Sequence, residues 1–383
     1  MGGRGMTTTV GIIGGGQLAR MTHQAAIALG VQVVALDEDP GAPAVVAGAA
    51  HLSGRPDRLD DLLALAARSD VVTVDHERTP AALLAALVER GHRVAPGPGA
   101  ARLGQDKAAA RTVLGARGVP VAPWALVGDP GAIARFGDGH GWPLVLKAPT
   151  GGYDGRGVWV ADDLAAASAA LARADGPLLV EPRLPFGHEL AVVVVRSWSG
   201  EVHAYPPVET VQRDGQCHEV LLPAGVPVAV ATQARQLAVR IAEAAELVGV
   251  MAVELFVVDD ELLLNELAVR PHNSAHLTIE ACATSQFENH LRAVLDLPLG
   301  ATDPIVPAAC MRNVLGAPDG SDPFVGLHRA LAVPGVHVHR YGKDPRPRRK
   351  VGHVTATGAD LAEARALAAR AADALGPSPA AAA

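Results

Sequence analysis

A glycine-rich run that carries an aspartate and an arginine occupies residues 150–157, with the sequence TGGYDGRG. It follows an apolar, strand-like run at residues 143–147 that ends in Lys147. So many glycines do not suit the interior of a helix or strand, because glycine loses the most backbone freedom on ordering. A loop with free backbone N–H groups, directly after a strand that ends in a lysine, is predicted to bind a polyphosphate. A glycine-rich surface turn is the alternative interpretation.

Two glutamates, Glu254 and Glu266, lie on strand-like runs at residues 250–258 and 262–267. A three-residue turn at 259–261 would set them opposite each other, about 5 Å apart, which is unfavourable unless a cation lies between them. Magnesium, shared with phosphates, would resolve that conflict. A two-residue turn would place the glutamates on opposite faces and leave an exposed acidic face. The apolar neighbours on both strands favour the facing arrangement.

Lysine is rare in this chain, with only four among 33 basic residues: Lys107, Lys147, Lys343 and Lys350. Arginine serves as the general surface cation, so the lysines mark places where a compact ammonium is useful. Two of them lie in the basic segment 340–350, which alone resembles a nucleic-acid patch. The net charge of -7 argues against a general nucleic-acid binder, so a local phosphate pocket is the better interpretation.

The segment 270–276, RPHNSAH, precedes a helix expected near residues 277–295. His272 and His276 have the spacing of a zinc pair, but no carboxylate or thiol completes such a site. An anion-binding loop at the start of the following helix is the preferred interpretation.

The N-terminal elements form a predicted βαβ unit, with strands at 9–14 and 31–36 around an amphipathic stretch at 17–29. Gly14, Gly16 and Ala19 satisfy the dinucleotide fingerprint, and Asp37 ends the second strand. A nicotinamide-dependent dehydrogenase is therefore a rival hypothesis. It leaves the loop at 150–157, the glutamate pair and the basic segment unexplained.

The length of 383 residues predicts two or three domains of the α/β (α+β) class. We expect a Rossmann-like domain at 1–105, a central domain at 106–300 with a small lid at about 121–185, and a C-terminal domain at 301–383 with a disordered tail. No apolar run is long enough to span a bilayer, and no signal-peptide pattern is present. Three widely spaced cysteines suit reduced thiols, so a cytoplasmic location is expected.

Four stretches carry a resemblance to ATP-grasp enzymes, and more narrowly to 5-(carboxyamino)imidazole ribonucleotide synthases of de novo purine synthesis. They are GGGQLARM at 14–21, GGYDGRG at 151–157, NELA at 265–268 with RPHNS at 270–274, and RKVGH at 349–353. They span almost the whole chain in the family's order. The resemblance implies an ATP-grasp fold with a preceding Rossmann-like domain, a mobile lid and a C-terminal domain that completes the substrate site. It also implies a homodimer without nucleic-acid or membrane partners.

The implied reaction joins bicarbonate to the amine of aminoimidazole ribonucleotide, with ATP and Mg²⁺ and through carboxyphosphate. The resemblance places ATP at Arg102, Lys107, Lys147, Gly152, Tyr153, Asp154, Gly155, Arg156, Gly157, Val158, Glu181, Pro182, Arg183, Leu184, Glu189, Gln212, Asn265 and Glu266. It places the ribotide at Gly15, Gly16, Gln17, Leu18, Glu77, Arg270, Asn273, Ser274, Lys343, Arg349 and Lys350. It places magnesium at Glu254 and Glu266, and catalytic roles at Asp154, Arg156 and Lys350.

The sequence departs from the family pattern at a few positions near these sites. Ala19 and Ala275 stand where the family usually has glycine, and Val269 stands where it usually has proline. Gln212 replaces a frequent histidine beside the nucleotide. Another ATP-grasp ligase, such as a formate-using purine enzyme or a biotin-type carboxylase, would share the ATP residues and differ in the acceptor. A non-catalytic nucleotide-binding module is a further alternative.

Overall fold

The N-terminal part forms a four-stranded parallel sheet with helices on both faces. The computed structural model describes residues 8–152 and 156–376. Strand order is β3-β2-β1-β4, as the βαβ pattern predicts. The elements are β1 (Thr9–Ile13), α1 (Gln17–Ala28), β2 (Gln32–Asp37), α2 (Pro43–Val46), β3 (Ala50–Ser53), α3 (Leu59–Ala66), β4 (Val71–Val74) and α4 (Ala81–Glu89).

A small second sheet follows two connecting helices. Its order is β5-β8-β6-β7, with all neighbours antiparallel. The core of this unit lies between the sheet and two helices. The elements are α5 (Pro98–Gln105), α6 (Lys107–Gly115), β5 (Ala125–Val127), α7 (Pro130–His140), β6 (Leu144–Lys147), β7 (Val158–Ala161), α8 (Leu164–Ala172) and β8 (Leu178–Pro182).

A nine-stranded antiparallel sheet forms the body of the molecule. Its path is β14-β13-β9-β11-β12-β15-β17-β16, with β10 paired to β9. The elements are β9 (His188–Arg196), β10 (Val202–Ala204), β11 (Val208–Arg213), β12 (Gln216–Leu222), α9 (Val228–Ala244), β13 (Gly249–Val258), β14 (Glu261–Ala268), α10 (Thr278–Ala281), α11 (Gln286–Val294), β15 (Ala308–Leu315), α12 (Leu327–Leu331), β16 (Val336–Arg340), β17 (Lys350–Gly358) and α13 (Leu361–Leu375). A short 3-10 helix, Asn273–Ala275, precedes α10.

The large sheet crosses the boundary that the sequence predicts near residue 300. Strands β15, β17 and β16 continue the same hydrogen-bonded sheet as β9 and β13. The largest apolar core lies where α5, α6 and α9 cover β9, β13 and β14. A second core joins α1 to α11, so the N-terminal sheet packs directly on the body. The mixed α/β class is confirmed, whereas the domain bounds stay a prediction.

The helix expected at 277–295 is wrong as a single element. The chain leaves the helix after α10, and Cys282 makes a β-bridge with Pro304 before α11 begins. Ser285 then caps α11, accepting a hydrogen bond from the Glu288 N–H at 3.2 Å. Within the described residues, no helix is long and apolar enough to span a bilayer.

Candidate active site

The two glutamates face each other through an irregularity that the turn does not supply. The turn between β13 and β14 has two residues, Asp259 and Asp260, with φ of 49° and 64°. From that turn the register runs regularly to Leu255 opposite Leu264. The register then shifts, so that Glu254 stands opposite Glu266 and Asn265 is the extra residue of a β-bulge. The predicted three-residue turn is therefore wrong, but the facing arrangement is confirmed.

The facing carboxylates repel each other at a partly exposed place, where the Glu254 and Glu266 side chains are 24% and 37% exposed. Burial, with the charges of Glu266 and Glu189, raises the pKa of Glu254 to about 8. His272 Nε2 lies 3.6 Å from Glu254 Oε1. No group of three or more acidic, histidine or cysteine side chains in the described part of the chain could hold a metal alone. A pair of carboxylates with an amide oxygen beside it nevertheless suits Mg²⁺, which completes its octahedron with water and phosphate oxygens.

The bulge also presents two acceptors to two lysines, the half-buried Lys107 and the buried Lys147. Lys107 Nζ donates to Glu266 Oε1 at 2.8 Å, and Lys147 Nζ donates to Asn265 Oδ1 at 3.0 Å. Lys107 begins α6, whereas Lys147 ends β6 of the small sheet. The structure thus brings together four of the predicted ATP-site residues from three separate elements.

Glu181 is held between two buried cations. Its carboxylate pairs with Lys147 and with Arg111, whose Nη2 lies 2.7 Å from Glu181 Oε2. Burial alone would raise the pKa of Glu181, but the two cations hold it below its usual value. Burial lowers the pKa of Lys147, and the Arg111 charge adds to this against the opposing effect of Glu181. Two positive groups share one negative group, so the triad carries one excess positive charge that a phosphate would balance.

The predicted nucleotide residues Glu189 and Gln212 lie in contact. Gln212 Nε2 donates to Glu189 Oε1 at 2.7 Å, and Thr210 Oγ1 donates to the same atom at 3.0 Å. Burial raises the pKa of Glu189 despite these hydrogen bonds. Gln212 therefore supplies a donor at the position where the sequence departs from the family's frequent histidine, and it orients the Glu189 carboxylate.

An aromatic pair lines the same side of the large sheet. Phe186 and Phe256 stack with ring centroids 4.4 Å apart, and Lys147 Nζ lies 5.8 Å from the Phe256 centroid. No sequence pattern predicts this pair, because the two residues are distant in the chain and neither belongs to a motif. Of the other predicted ATP residues, Arg102 and Arg183 are exposed, and Pro182 and Leu184 are half-buried beside β8.

The segment 270–274 joins the N-terminal sheet to the body. Arg270 Nε donates to Glu77 Oε2 at 2.7 Å, which brings together two predicted ribotide residues. Asn273 exchanges reciprocal 2.8 Å amide hydrogen bonds with Asn313 on β15, a partner that sequence reasoning missed. Ser274 is buried, and its Oγ lies 2.9 Å from His272 Nδ1.

Two aspartates already occupy the start of α1. Asp37 Oδ2 accepts from the Gly15 N–H at 2.8 Å, and Asp75 Oδ2 accepts from the Ala19 N–H at 3.3 Å. A Cβ on Gly16 would lie 2.7 Å from Asp75 Oδ2, so any other residue there would displace the Asp75 carboxylate. Because Asp37 caps Gly15, its carboxylate is not arranged to hold a ribose hydroxyl, which weighs against the dehydrogenase hypothesis.

Other predicted ribotide residues lie on α1 and in the loop between β16 and β17. Gln17 is half-buried at the first turn, whereas the Leu18 side chain packs into a buried cluster with Tyr341. Leu18 could therefore contact a ligand only through its backbone. Lys343 Nζ lies 5.9 Å from the Tyr341 centroid, and Arg349 Nη1 donates to the Asp344 carbonyl at 3.1 Å.

Burial and neighbouring basic groups shift the pKa values of Glu254, Arg349 and His272. Lys350 begins β17, and its charge lowers the pKa of Glu254 against the larger effect of burial. Burial lowers the pKa of Arg349, and the neighbouring Arg346 lowers it further. Burial, with Arg270 and Lys350, lowers the pKa of His272 well below its ordinary value. A neutral His272 beside a cationic cluster suits a ligand that carries the negative charge itself.

The glycine-rich loop is described on both sides of its tip. The Ala148 N–H donates to the Gly157 carbonyl at 2.7 Å, which closes the loop onto β6. A Cβ on Gly152 would lie 2.9 Å from the Arg156 carbonyl oxygen, so the closure needs glycine. Arg156 and Val158 are exposed and Gly157 is half-buried. The predicted residues Tyr153, Asp154 and Gly155 lie outside the described residues.

Comparison with known families divides the chain into three matched stretches. The ribonucleotide synthetase preATP-grasp domain matches residues 6–105, and the ATP-grasp domain matches residues 112–287. The phosphoribosylaminoimidazole carboxylase C-terminal domain matches residues 309–367.

Individual proteins resemble the chain over almost its whole length. The N5-carboxyaminoimidazole ribonucleotide synthase of Mycobacterium tuberculosis (strain H37Rv) is 48% identical over 362 residues, covering 92% of this chain and 84% of that protein. The corresponding enzyme of Corynebacterium ammoniagenes is 40% identical, covering 95% of this chain and 91% of the relative. The N5-carboxyaminoimidazole synthase of Aspergillus clavatus, solved with ADP and 5-aminoimidazole ribonucleotide, superposes with a TM-score of 0.89 at 35% identity. That superposition covers 96% of this chain and 98% of the other.

Proposed function

The chain belongs to the N5-carboxyaminoimidazole ribonucleotide synthase family, and we infer from this membership that it carboxylates 5-aminoimidazole ribonucleotide in purine biosynthesis. The reaction consumes ATP and bicarbonate and gives the N-carboxylated ribotide, ADP and phosphate. The observation that carries this conclusion is the 48% identity to a named synthase across 92% of the chain. The enzyme is an ATP-grasp ligase that forms a carbon–nitrogen bond.

We propose that the reaction has two transfers. A bicarbonate oxygen first attacks the γ-phosphorus of ATP, and the bond to the bridging oxygen of ADP breaks to give carboxyphosphate. The amine nitrogen then forms a bond to the carboxyl carbon and loses a proton. The bond between that carbon and the phosphate oxygen breaks, and phosphate leaves with its electron pair. Bicarbonate is a poor electrophile, so this activation is what the ATP provides. Such a site works mainly by positioning and charge neutralisation.

The nucleotide phosphates would lie at the two lysines. Lys107 on α6 and Lys147 on β6 both hydrogen-bond to the bulge, and Lys147 also pairs with Glu181. The triad of Lys147, Arg111 and Glu181 carries excess positive charge. We propose that bound ATP takes over part of this charge pairing and releases Glu266 from Lys107.

A divalent cation fits the facing carboxylates. Glu254 and Glu266, with Asn265 beside them, would hold Mg²⁺ together with phosphate oxygens. The ion would neutralise charge on the phosphates during transfer. The raised pKa of Glu254, caused first by burial and then by the charges of Glu266 and Glu189, supports this proposal, since a bound cation would stabilise the ionised carboxylate.

The acceptor side would lie between the loop at 150–157 and the start of β17. We propose that Asp154 and Arg156 on the loop, and Lys350 opposite them, handle bicarbonate and the amine proton. Lys343 and Arg349 would bind the ribotide phosphate, with Glu77 and Arg270 beside its ring. A closing loop has a clear purpose here, because water would hydrolyse carboxyphosphate.

Phosphate release tests the assignment directly. ATP and magnesium are supplied with bicarbonate alone, with 5-aminoimidazole ribonucleotide alone, and with both. We expect rapid release only with both, and one carboxylated ribotide per phosphate. Glu201→Gln, an exposed change far from the site, serves as the matched control for the loss expected from Glu266→Gln. Turnover with formate or another amine but not with the ribotide would overturn the assignment in favour of another ATP-grasp ligase.

We also propose that the enzyme is a cytoplasmic homodimer. The support is the family resemblance, together with buried Cys282 and Cys310, whose thiol pKa values burial raises to about 12. Light scattering coupled to size-exclusion chromatography measures the assembly. A mass near 39 kDa at micromolar concentration would overturn the dimer.

A further inference from the structure

Gln286, the first residue of α11, uses its whole side-chain amide on one neighbouring loop. The side chain is fully buried. Its Oε1 accepts from the His272 N–H at 2.8 Å, and its Nε2 donates to the His272 carbonyl at 2.8 Å. The second Nε2 hydrogen points to His276 Nδ1 at 3.0 Å. One side chain therefore holds the backbone of His272 in both directions, as a neighbouring strand would.

The clamped residue lies at the centre of the predicted acceptor site. Arg270, which contacts Glu77, is two residues before it, and Asn273 and Ser274 follow directly. The segment is outside any strand, so its backbone groups have no sheet partner. A buried peptide group must be paired or its desolvation is uncompensated. Gln286 pairs both the N–H and the carbonyl of His272, and the carbonyl also accepts from the Ala275 N–H at 3.0 Å.

The clamp also determines which way the His272 ring faces. Nδ1 accepts from the Ser274 N–H at 3.4 Å and lies 2.9 Å from Ser274 Oγ, so the ring proton belongs on Nε2. Nε2 faces Glu254 Oε1 at 3.6 Å. Turning the backbone at His272 would move this N–H away from the carboxylate pair and move Arg270 away from Glu77.

Gln286 is itself rigidly placed. Its N–H donates to Thr278 Oγ1 at 3.0 Å, and Thr278 Oγ1 donates to the Ala275 carbonyl at 2.7 Å. The break between α10 and α11 thus brings the start of α11 against both ends of the segment 272–275. A side chain on a helix with fixed neighbours can hold a loop more accurately than the loop holds itself.

We propose that Gln286 is a positioning residue for the carboxylation reaction, holding the backbone of His272 so that the 270–274 segment keeps its reactive geometry. The proposal rests on the proposed function for its kinetic consequence and on hydrogen-bond geometry for its structural one. Gln286 acts through His272 and does not itself contact the reacting atoms.

The same helix supplies a matched control. Asn289 is also fully buried; its Oδ1 accepts from the Gly300 N–H at 2.7 Å, and its Nδ2 donates to the Gly300 carbonyl at 3.1 Å. Its second Nδ2 hydrogen points to Tyr205 Oη at 2.8 Å. Asn289 therefore does for Gly300 what Gln286 does for His272, but none of the residues it contacts belongs to the proposed site.

The experiment compares Gln286→Ala, Gln286→Glu and Asn289→Ala with the wild-type protein. Both alanine variants should lower the unfolding temperature by comparable amounts, because each removes three buried hydrogen bonds. Gln286→Glu keeps the volume and the acceptor for the His272 N–H, but it places an acceptor against the His272 carbonyl. We expect kcat to fall roughly 10- to 100-fold in both Gln286 variants, the size of effect that small misplacements produce. KM for ATP should stay within about twofold, and Asn289→Ala should keep kcat within about twofold of wild type.

A second readout does not depend on turnover. Long-range ¹H–¹⁵N spectra of histidine-labelled protein separate the two ring tautomers, and His272→Gln identifies the His272 signals. The Nε2–H form should give way to a mixture in Gln286→Ala and persist in Asn289→Ala. Equal losses of kcat in the Gln286 and Asn289 variants, or an unchanged His272 tautomer in Gln286→Ala, would overturn the proposal. A wild-type protein without ribotide-dependent phosphate release would overturn the proposed function, and the tautomer spectra would still decide the clamp.

Discussion

Replacing Glu181 with glutamine should destabilise the protein by about 3–5 kcal/mol, because it leaves two buried cations without their shared counter-charge. The side chains of Arg111 and Lys147 are only 2% and 8% exposed, so water cannot screen them. Glutamine keeps the volume and can still accept hydrogen bonds, so the loss measures charge and not packing.

The same change should weaken ATP binding. Without Glu181, the pKa of Lys147 falls further, since burial and Arg111 already lower it. A neutral lysine loses its charge-assisted hydrogen bond to a phosphate, worth roughly 1.5–3 kcal/mol. That corresponds to a roughly 10- to 150-fold weaker affinity.

Urea unfolding with and without ATP, together with calorimetric titration of ATP, measures both effects. Glu219→Gln is the control: Glu219 is equally buried between Arg312 and Arg365, but those arginines are 20% and 48% exposed. Its loss of stability should be smaller, and its ATP affinity should be unchanged. A loss below about 1 kcal/mol for Glu181→Gln, or one no larger than the control's, would refute the reasoning.

The pH dependence of stability has a definite sign. Because the pKa of Glu181 lies below its usual 4.5, its stabilisation is complete above pH 4.5. It is lost as the pH falls through the folded-state pKa. The difference in stability between wild type and Glu181→Gln should therefore narrow in acid, and a constant difference would contradict the charge argument.

Three further predictions concern other parts of the molecule. Glu266→Gln should raise the magnesium concentration needed for half-maximal turnover severalfold, because one of two facing carboxylates is lost; an unchanged magnesium titration would remove the pair from metal binding. Asp154→Asn should leave ATP affinity nearly intact while lowering turnover strongly, and normal product formation would exclude Asp154 from the mechanism. His290 Nε2 lies 2.8 Å from Thr73 Oγ1, and burial lowers the pKa of His290 to about 4. Because this value lies below the usual 6.5, the unfolded chain binds the proton first, and His290 should account for roughly 3 kcal/mol of stability lost between pH 6.5 and 4. In urea titrations across that pH range, the free energy of unfolding of His290→Gln should fall by correspondingly less than that of the wild type. An equal fall in both proteins would be evidence against this assignment.

Local patterns in the sequence were sufficient for the class of fold and for the residues that motifs name. The βαβ pattern and the glycine positions predict the parallel N-terminal sheet, and the carboxylates were expected to face each other. The mechanism of that facing was not predictable, because the bulge at Asn265 depends on how β13 and β14 settle against their neighbours. Turn length alone gives the opposite answer.

Long-range partners were the larger omission. Arg111 and Asn313 contact predicted site residues, and Gln286 contacts His272 beside them, yet none of the three lies within a recognisable motif. Their roles follow from packing between elements far apart in the chain, which periodicity does not encode. Glu181 illustrates the same limit, since the resemblance placed it among the ATP residues while its carboxylate pairs with Lys147 and Arg111.

The continuous nine-stranded sheet has a consequence for the way the molecule opens. Glu254 on β13 and Lys350 on β17 belong to one hydrogen-bonded unit, whereas β5 to β8 form a separate sheet. Native-state hydrogen exchange should therefore show the amides of β13 and β17 opening together in one cooperative event. The amides of β6 and β7 should exchange through a separate event of lower energy. The active site would then change shape by movement of the small sheet, β5 to β8, over a nine-stranded sheet that keeps its conformation.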